Sequence, residues 1–244
     1  MPTTFAIGDI HGGLKALKQL LDIVQISAED RMIFLGDYVD GWSQSAQTID
    51  YLIQLSTTNN CIFIKGNHDV WCEKWLLGEA PDPNWIAHNG TLTKKSYHHH
   101  SKSQLREHAA FFQQMKLYYI DEKNRLFVHA GFTSMHGPEK ERDKTNFYWD
   151  RSLWEVALVT DGCIPKESKF YPKRLLLFDE IFIGHTPTIN YDTDKPIQAS
   201  NLWNIDTGAA FYGKLTMMDV DSKKYWQSDT VRDLYPGETG RNAR

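Results

Sequence analysis

Short apolar runs alternate with helical patterns in the first third of the chain. Residues 4–7, 32–35 and 61–64 are apolar runs that each end in a polar loop containing glycine. Such runs are typical of buried strands in a parallel sheet. Apolar residues at helical spacing follow each loop, so three strand-loop-helix units with right-handed crossovers are predicted. Ligands of such sheets bind beyond the carboxyl ends of the strands, where these polar loops lie.

The pattern changes after the third unit. Residues 78–103 begin with a turn-rich segment and predict an insertion over one side of the sheet. A helix with Ser103 as its N-cap is expected next, followed by a hairpin of residues 118–120 and 125–128. The last third contains short apolar runs that predict strands of a second sheet. We therefore expect one domain over residues 1–235, with the insertion at about 78–103, and a frayed polar tail over 236–244.

Composition narrows the class of protein. Of the 244 residues, 24% are charged and 41% hydrophobic, which is typical of a soluble globular protein. The net charge of −4 predicts no nucleic-acid partner, because no basic surface covers the whole chain. No apolar run approaches the roughly 18 residues that span a bilayer, and three unrelated cysteines suggest no disulfide framework. We expect a cytoplasmic protein without a membrane partner.

Five polar loops each follow an apolar run, and together they predict a metal site. They are Gly8-Asp9-Ile10-His11-Gly12, Gly36-Asp37-Tyr38-Val39-Asp40, Gly66-Asn67-His68-Asp69, His129-Ala130-Gly131 and Gly184-His185-Thr186-Pro187. A lone Asp or His after a strand is usually a turn or capping residue. Mixed oxygen and nitrogen ligands suit Mn²⁺, Fe or Zn²⁺ better than Ca²⁺ or Mg²⁺. Asp37 is the best candidate to bridge two ions, which could then clamp a phosphoryl group.

These five motifs, in this order, resemble the metallophosphoesterases of the phosphoprotein phosphatase branch, the calcineurin-like superfamily. Bacterial and phage serine/threonine phosphatases and symmetrical diadenosine tetraphosphatases are the members they resemble most. The resemblance extends over roughly residues 4–210. It implies an α/β fold in which two mixed β-sheets pack as a sandwich flanked by helices, a four-layer αββα arrangement.

The resemblance also implies roles for individual residues. Two divalent ions are expected, Mn²⁺ first, with Fe or Zn²⁺ as alternatives. The first ion would be bound by Asp9, His11 and Asp37, and the second by Asp37, Asn67, His129 and His185. A hydroxide bridging the metals would attack phosphorus, and His68 would protonate the leaving oxygen. Asp40 would orient the His68 ring and raise its pKa.

Arg151 is the candidate phosphate clamp, because Trp149-Asp150-Arg151 resembles a family segment that holds phosphate. The alternative is an arginine on a solvated helix face. The insertion, with Trp85, Asn89-Gly90 and Thr93, resembles a substrate-side insertion of the family. Asn204-Ile205-Asp206-Thr207-Gly208-Ala209 resembles a later family signature that would support the site. His98-His99-His100 is interpreted as an exposed loop rather than a metal tract.

One position departs from the family pattern. Asp-Arg-Gly is usual after the bridging aspartate, whereas this chain has Asp40-Gly41-Trp42. Half of the expected phosphate clamp is therefore missing, with Arg142 and Lys95 as candidate replacements. Trp42 could instead supply a flat apolar wall on which a base stacks.

Three functions follow as hypotheses, all with a phosphorylated substrate or partner and none with a predicted oligomeric state. The leading one is hydrolysis of phosphomonoesters, such as phosphoserine or phosphothreonine in proteins. The alternative is hydrolysis of a dinucleoside polyphosphate of the diadenosine tetraphosphate type. The third is a catalytically weak, metal-containing protein that binds phosphorylated partners. Retention of His68 and Asp40 argues against the third, because a binding module needs no general acid.

Overall fold

The computed structural model describes residues 2–242 and contains two five-stranded sheets. The strands are β1 (Thr4–Ile7), β2 (Arg31–Phe34), β3 (Asn60–Phe63), β4 (Tyr118–Ile120), β5 (Arg125–Val128), β6 (Glu180–Ile183), β7 (Ile197–Ala199), β8 (Leu202–Asn204), β9 (Thr216–Asp219) and β10 (Tyr225–Gln227). The helices are α1 (Leu14–Val24), α2 (Ser45–Ser56), α3 (Asn67–Leu76), α4 (Pro83–Trp85), α5 (Thr91–Ser96), α6 (Lys102–Gln114), α7 (Asn146–Trp149), α8 (Ser152–Thr160), α9 (Lys173–Leu176) and α10 (Val231–Leu234). None of these described helices has the length and apolar character needed to cross a membrane.

The first sheet has the strand order β10-β9-β1-β2-β3. Strands β1, β2 and β3 are parallel, with Thr4 opposite Arg31 and Arg31 opposite Asn60. The three predicted strand-loop-helix units are thus confirmed. Strand β9 is antiparallel to β1, and β10 is antiparallel to β9. Two strands of the last third therefore return to the first sheet, whereas all of them were expected in the second.

The second sheet has the order β4-β5-β6-β8-β7. Its β4–β5 hairpin occupies the residues predicted from the sequence, with Tyr118 opposite Val128. Strands β5, β6 and β8 are parallel, which directs the carboxyl ends of β5 and β6 to one edge. This edge carries His129 and His185.

Side-chain alternation along each strand produces the four layers. In β1, Phe5 and Ile7 pack under the helices of the first sheet, while Ala6 lies between the two sheets. In β5, Phe127 faces the other sheet and stacks on Phe182 of β6 with ring centroids 5.1 Å apart. Since successive strand residues point to opposite faces, each sheet buries one face on helices and one on its partner. The predicted four-layer αββα fold is confirmed.

The segment predicted as an insertion is largely helical. It contains α4, a π-helical turn at Ile86–Gly90 and α5, and α5 packs on α2. The following helix begins at Lys102 with Ser101 as its N-cap, so the prediction of Ser103 was wrong. Ser101 is the N-cap because it forms a capping box with Gln104. In this box, Gln104 Oε1 accepts a 2.9 Å hydrogen bond from the Ser101 backbone N–H.

The described part of the C-terminal tail, residues 236–242, is attached to the domain instead of fraying as expected. Glu238 accepts hydrogen bonds from the backbone N–H and hydroxyl of Ser43. The Arg241 backbone N–H donates to the Ala210 carbonyl at 2.8 Å. The composition of the tail is polar, but these polar groups have specific partners. Residues 243–244 lie outside the described residues.

Candidate metal and phosphoester site

The five polar loops converge at the carboxyl ends of β1, β2, β3, β5 and β6. Asp37 lies at the centre, with its Oδ2 3.6 Å from His11 Nε2 and 3.5 Å from His129 Nε2. Asp9 Oδ2 is 3.9 Å from His11 Nε2. Asp37 therefore lies between two groups of side chains, as a bridging carboxylate must.

The second group consists of Asn67, His129 and His185. Asn67 Oδ1 lies 3.2 Å from His129 Nε2 and 3.0 Å from His185 Nδ1, and the two nitrogens are 3.2 Å apart. In addition, His185 Nε2 is buried without a hydrogen-bond partner among residues 2–242. Because buried polar atoms are normally paired, such converging oxygen and nitrogen atoms fit a shared cation.

The buried negative charge of the site also indicates a bound cation. Asp9, Asp37 and Asp206 are each 2% exposed, and within residues 2–242 no lysine or arginine forms an ion pair with them. Burial and the charge of Asp206 raise the pKa of Asp9 well above its ordinary value. Burial also raises the pKa of Asp206 to about 6. Carboxylates removed from water need a compensating charge, so this donor set fits divalent metal ions.

Left-handed backbone conformations occur in the same loops. His11, Asp37, Asp40 and His185 have φ values of 50°, 53°, 67° and 67°, which L-residues other than glycine seldom adopt. Each such residue costs on the order of 1–3 kcal/mol unless its surroundings enforce it. The Asp37 carbonyl accepts hydrogen bonds from the backbone N–H groups of Ile10 and His11 and so ties the first two loops together.

Asp69 holds the backbone of the Asp37 loop in place, a role that the sequence motifs did not reveal. Its carboxylate accepts hydrogen bonds from the backbone N–H groups of Gly66, Asp37 and Tyr38 at 2.8, 2.8 and 2.9 Å. Asp69 is the third residue of α3. An acidic residue at the third position of a helix is a capping signal, and it could have revealed this contact.

His68 and Asp40 form the expected pair. His68 Nδ1 lies 2.7 Å from Asp40 Oδ2. Trp85 Nε1 donates to the same oxygen at 2.6 Å, and the Thr93 hydroxyl donates to Asp40 Oδ1 at 2.5 Å. Trp85 and Thr93 belong to the insertion, which therefore supports the site by holding Asp40.

Burial dominates the electrostatics of this pair. It lowers the pKa of His68 to about 3 and raises the pKa of Asp40 to about 8. The expected rise in the pKa of His68 is thus not found. Both shifts favour a pair with no net charge, because each disfavours an isolated buried ion. The hydrogen bond between Nδ1 and Asp40 Oδ2 requires one proton between these two atoms, whichever of them carries it.

An open cleft of about 700 Å³ lies over the converging loops. Its lining includes Arg151, as predicted for the phosphate clamp, and also Arg241 of the tail. Of the candidates named to replace the missing family arginine, Arg142 lines a different cleft and Lys95 lines neither. Arg241 lies in the polar tail, where no sequence pattern marks it as a phosphate ligand.

One wall of this cleft is aromatic. Trp71 stacks on His88 at 5.8 Å and meets Trp149 edge-on at 5.2 Å. Trp149 is 40% exposed. Phe211 lines the cleft as well. We call Trp71, His88 and Trp149 the aromatic wall.

The suggestion that Trp42 forms such a wall was wrong. Trp42 is fully buried, and its Nε1 donates to the Ala209 carbonyl at 2.7 Å. It cannot reach a base in the cleft, because the indole packs in the core of the first sheet.

Two further sequence features have structural roles. His98 and His99 are exposed as expected, but His100 Nε2 lies 2.9 Å from Asp50 Oδ2, and His108 Nε2 lies 2.9 Å from the other oxygen of that carboxylate. Asn204 Nδ2 donates to the Thr186 carbonyl at 2.7 Å, so the late motif supports the His185 loop.

The arrangement of sheets, loops and cleft has known counterparts. A protein serine/threonine phosphatase from Saccharomyces cerevisiae with similarity to human phosphatase PP5 superposes with a TM-score of 0.65 at 14% identity, over 98% of this chain and 83% of that one. At that identity the comparison shows the fold alone.

The sequence defines the family. The profile of the calcineurin-like phosphoesterases matches residues 2–205, and the chain belongs to this family. The symmetrical bis(5'-nucleosyl)-tetraphosphatase of Pseudomonas fluorescens (strain SBW25) is 31% identical over 273 residues, covering 90% of this chain and 92% of the relative. The asymmetrical bis(5'-nucleosyl)-tetraphosphatase PrpE of Bacillus mycoides (strain KBAB4) is 28% identical over 226 residues, covering 86% and 87%. The protein is therefore a metal-dependent phosphoesterase.

Proposed function

We propose that this protein hydrolyses dinucleoside polyphosphates. The observation that carries the proposal is the aromatic wall beside the His68–Asp40 pair in one cleft. A phosphate group alone needs no aromatic partner, whereas a nucleobase gains roughly 1–3 kcal/mol by stacking on one. The sequence relatives named as bis(5'-nucleosyl)-tetraphosphatases support this choice over the phosphomonoesterase hypothesis.

Six residues are assigned to two divalent cations, with Mn²⁺ proposed as the native ion. They are Asp9, His11, Asp37, Asn67, His129 and His185. When bound, two such cations polarise phosphoryl oxygens and lower the pKa of water. The assignment rests on the convergence of these donors and on the buried carboxylates that have no lysine or arginine partner within residues 2–242.

His68 supplies the proton in this proposal. Its Nδ1 is held by Asp40, which leaves Nε2 as the position from which a proton is transferred to the leaving phosphate oxygen. The proton between Nδ1 and Asp40 Oδ2 keeps the pair neutral before transfer. Trp85 and Thr93 fix Asp40 and so fix the direction of the His68 ring.

Hydrolysis of phosphoserine or phosphothreonine in proteins is the second candidate. The observation in its favour is the openness of the cleft around Arg151, which leaves room for a polypeptide carrying a phosphate. Hydrolysis of phosphoserine or phosphothreonine, however, gives the aromatic wall no role. A protein that only binds phosphorylated partners is the least supported, because the His68–Asp40 pair is intact.

A three-substrate comparison tests the proposal. Protein reconstituted with Mn²⁺ is assayed with diadenosine tetraphosphate, a phosphoserine peptide and an aryl phosphate. We expect the highest kcat/KM for the dinucleotide. Separation of the products distinguishes two ADP molecules from ATP plus AMP, that is, symmetrical from asymmetrical cleavage. A higher kcat/KM for the phosphopeptide would overturn the proposal.

Variants of the aromatic wall make the test sharper. Trp149→Ala removes a 40% exposed ring from the cleft, while Phe170→Ala removes a 74% exposed ring that does not line it. We expect the first to raise KM for the dinucleotide by about 10-fold and to leave KM for the phosphoserine peptide, which has no ring beside its phosphate, nearly unchanged. The Phe170 variant should match the unmodified protein with both substrates. Equal effects of Trp149→Ala on both substrates would rule out base stacking.

A further inference from the structure

Gly41 occupies the position at which the family resemblance calls for an arginine, and no side chain fits there. Its φ is 150°. A Cβ atom at this position would lie 2.8 Å from the His11 carbonyl oxygen and 2.9 Å from His11 Cβ. Because both neighbours belong to the loop that carries a candidate metal ligand, they cannot move freely. The missing charge must therefore come from elsewhere in the chain.

The next residue, Trp42, instead forms the surface on which the C-terminal segment rests. Its ring stacks on Tyr235 with centroids 5.3 Å apart and planes at 23°. The Tyr235 hydroxyl in turn donates a 2.6 Å hydrogen bond to Gln44 Oε1. These contacts of Tyr235 hold the segment that follows α10 beside the Asp40 loop.

Gly240 continues this contact to the edge of the cleft. It has a φ of 56°, and a Cβ there would lie 2.8 Å from Trp42 Cζ2. Asn89 of the insertion donates from Nδ2 to the Gly240 carbonyl at 2.7 Å. With Gly240 held on both sides and the Arg241 N–H bonded to the Ala210 carbonyl, the direction of residue 241 is fixed.

The Arg241 side chain is directed into the cleft. Its guanidinium carbon lies 5.2 Å from the ring centroid of Phe211, which also lines the cleft. It lines the cleft together with His11, His68 and Arg151. Within residues 2–242, neither the Arg151 nor the Arg241 guanidinium forms a salt bridge or a side-chain hydrogen bond. Both groups are therefore free to bind an anion.

We propose that Arg241 binds a substrate phosphate and supplies, from the C-terminal segment, the charged contact that Gly41 lacks. This inference rests on the proposed phosphoester site and adds a second arginine to it. A guanidinium fork matches two oxygens of a phosphate, and the Phe211 ring, 5.2 Å from the guanidinium carbon, attracts its positive charge. Two arginines on separate segments also suit a chain of several phosphates better than a single phosphomonoester.

Binding of inorganic phosphate tests the inference without requiring turnover. Calorimetric titration of Mn²⁺-loaded protein with phosphate is carried out for the unmodified chain, Arg241→Ala, Arg241→Lys and Arg232→Ala. Arg232 is exposed on α10 and does not line the cleft, so it is the matched control. We expect Arg241→Ala to bind phosphate about 10- to 100-fold more weakly, since hydrogen bonds between charged groups are the strong ones. Arg241→Lys should fall between, because lysine keeps the charge but loses the fork.

Two additional measurements separate binding from a structural role. Guanidinium ion at millimolar concentration should restore part of the phosphate affinity of Arg241→Ala, which a merely structural contact would not do. Asn89→Ala removes the hydrogen bond to Gly240 and leaves the guanidinium intact, so it should weaken phosphate binding several-fold.

The outcomes are distinct. Phosphate affinity of Arg241→Ala equal to that of Arg232→Ala overturns the inference. If the unmodified protein binds phosphate through Arg241 but does not cleave diadenosine tetraphosphate, the proposed function fails and the phosphate contact stands.

Discussion

His68 Nδ1 and Asp40 Oδ2 are 2.7 Å apart, and this contact leaves His68 Nε2 as the free edge of the ring. If Nε2 protonates the leaving oxygen, His68→Ala should lower kcat by about 10²- to 10⁴-fold. The loss should be smaller for an aryl phosphate, whose leaving group is stable without a proton.

The measurement is kcat over a series of leaving groups, with metal content determined for each preparation. His136→Ala, an exposed histidine that lines a different cleft, is the control. An equal loss for good and poor leaving groups would show that His68 is not the acid.

Trp85 holds Asp40 through a single hydrogen bond, and Trp85→Phe removes it while keeping an aromatic ring. Because Oδ2 of the buried carboxylate loses a donor, we expect the free energy of unfolding to fall by about 1–3 kcal/mol and kcat to fall as well. Trp203→Phe is the matched control, since Trp203 Nε1 is buried without a hydrogen-bond partner among the described residues. Denaturant unfolding measures the free energy of unfolding of both variants, and a steady-state assay measures their kcat. If the two variants lose the same stability, the Trp85 hydrogen bond is unimportant.

Glu141 gives a pH-dependent contribution to stability. Burial would raise its pKa, but hydrogen bonds from the Thr133 and Ser134 N–H groups outweigh it and lower the pKa to about 2. A carboxylate with a depressed folded pKa stabilises the protein above its unfolded pKa of about 4.5, and this contribution is lost as the pH falls toward 2. Glu141→Gln should therefore cost about 1–3 kcal/mol at pH 7 and progressively less below pH 4.

The control for this prediction is Glu139→Gln, the same change on an exposed neighbour. Unfolding free energies of the three proteins are compared across the pH range. A difference between Glu141→Gln and the unmodified protein that does not change with pH would contradict the assigned carboxylate contacts.

Asp9 should have opposite effects on the metal-free and metal-loaded protein. Its burial beside Asp37 and Asp206 disfavours the ionised form when no cation is bound. Asp9→Asn is therefore expected to raise the melting temperature after chelation and to reduce the stabilisation that Mn²⁺ provides. A single bound ion stabilises a folded protein by about 2.7 kcal/mol when the free ion is present at 100 times its dissociation constant. Asp22→Asn, on the exposed face of α1, should change neither value.

Much of the fold could be predicted because its strands carry strong local signals. The β1–β3 units and the β4–β5 hairpin follow from apolar runs and turn residues. The assignment of β9 and β10 to the first sheet could not be predicted, because an apolar strand does not specify its pairing partner. Register and neighbours are decided by contacts distant in sequence, such as Ala6 opposite Met218.

In the candidate site, too, residues with a local sequence signal could be predicted and residues placed by distant contacts could not. Its six predicted metal ligands are brought together because each follows a strand whose carboxyl end lies at one edge. Arg241 has no such local signal: it lies in a polar segment, and only its tertiary contacts place it in the cleft. The burial of Trp42 was equally hidden, since the sequence does not show that Tyr235 and Gly240 cover it.

His11, Asp37, Asp40 and His185 have left-handed backbone conformations. The side chains that the chemistry needs at these positions therefore impose a conformational cost on the thermal stability of the protein. Glycine or asparagine would adopt these conformations at lower energy. A laboratory selection for thermal resistance alone should therefore enrich glycine and asparagine at His185, whose Nε2 has no hydrogen-bond partner among residues 2–242, but not at Asp40, whose carboxylate binds Trp85 and Thr93. Its most durable products would keep the sandwich and lose the chemistry, and they would serve as inert scaffolds on which a different site could be built.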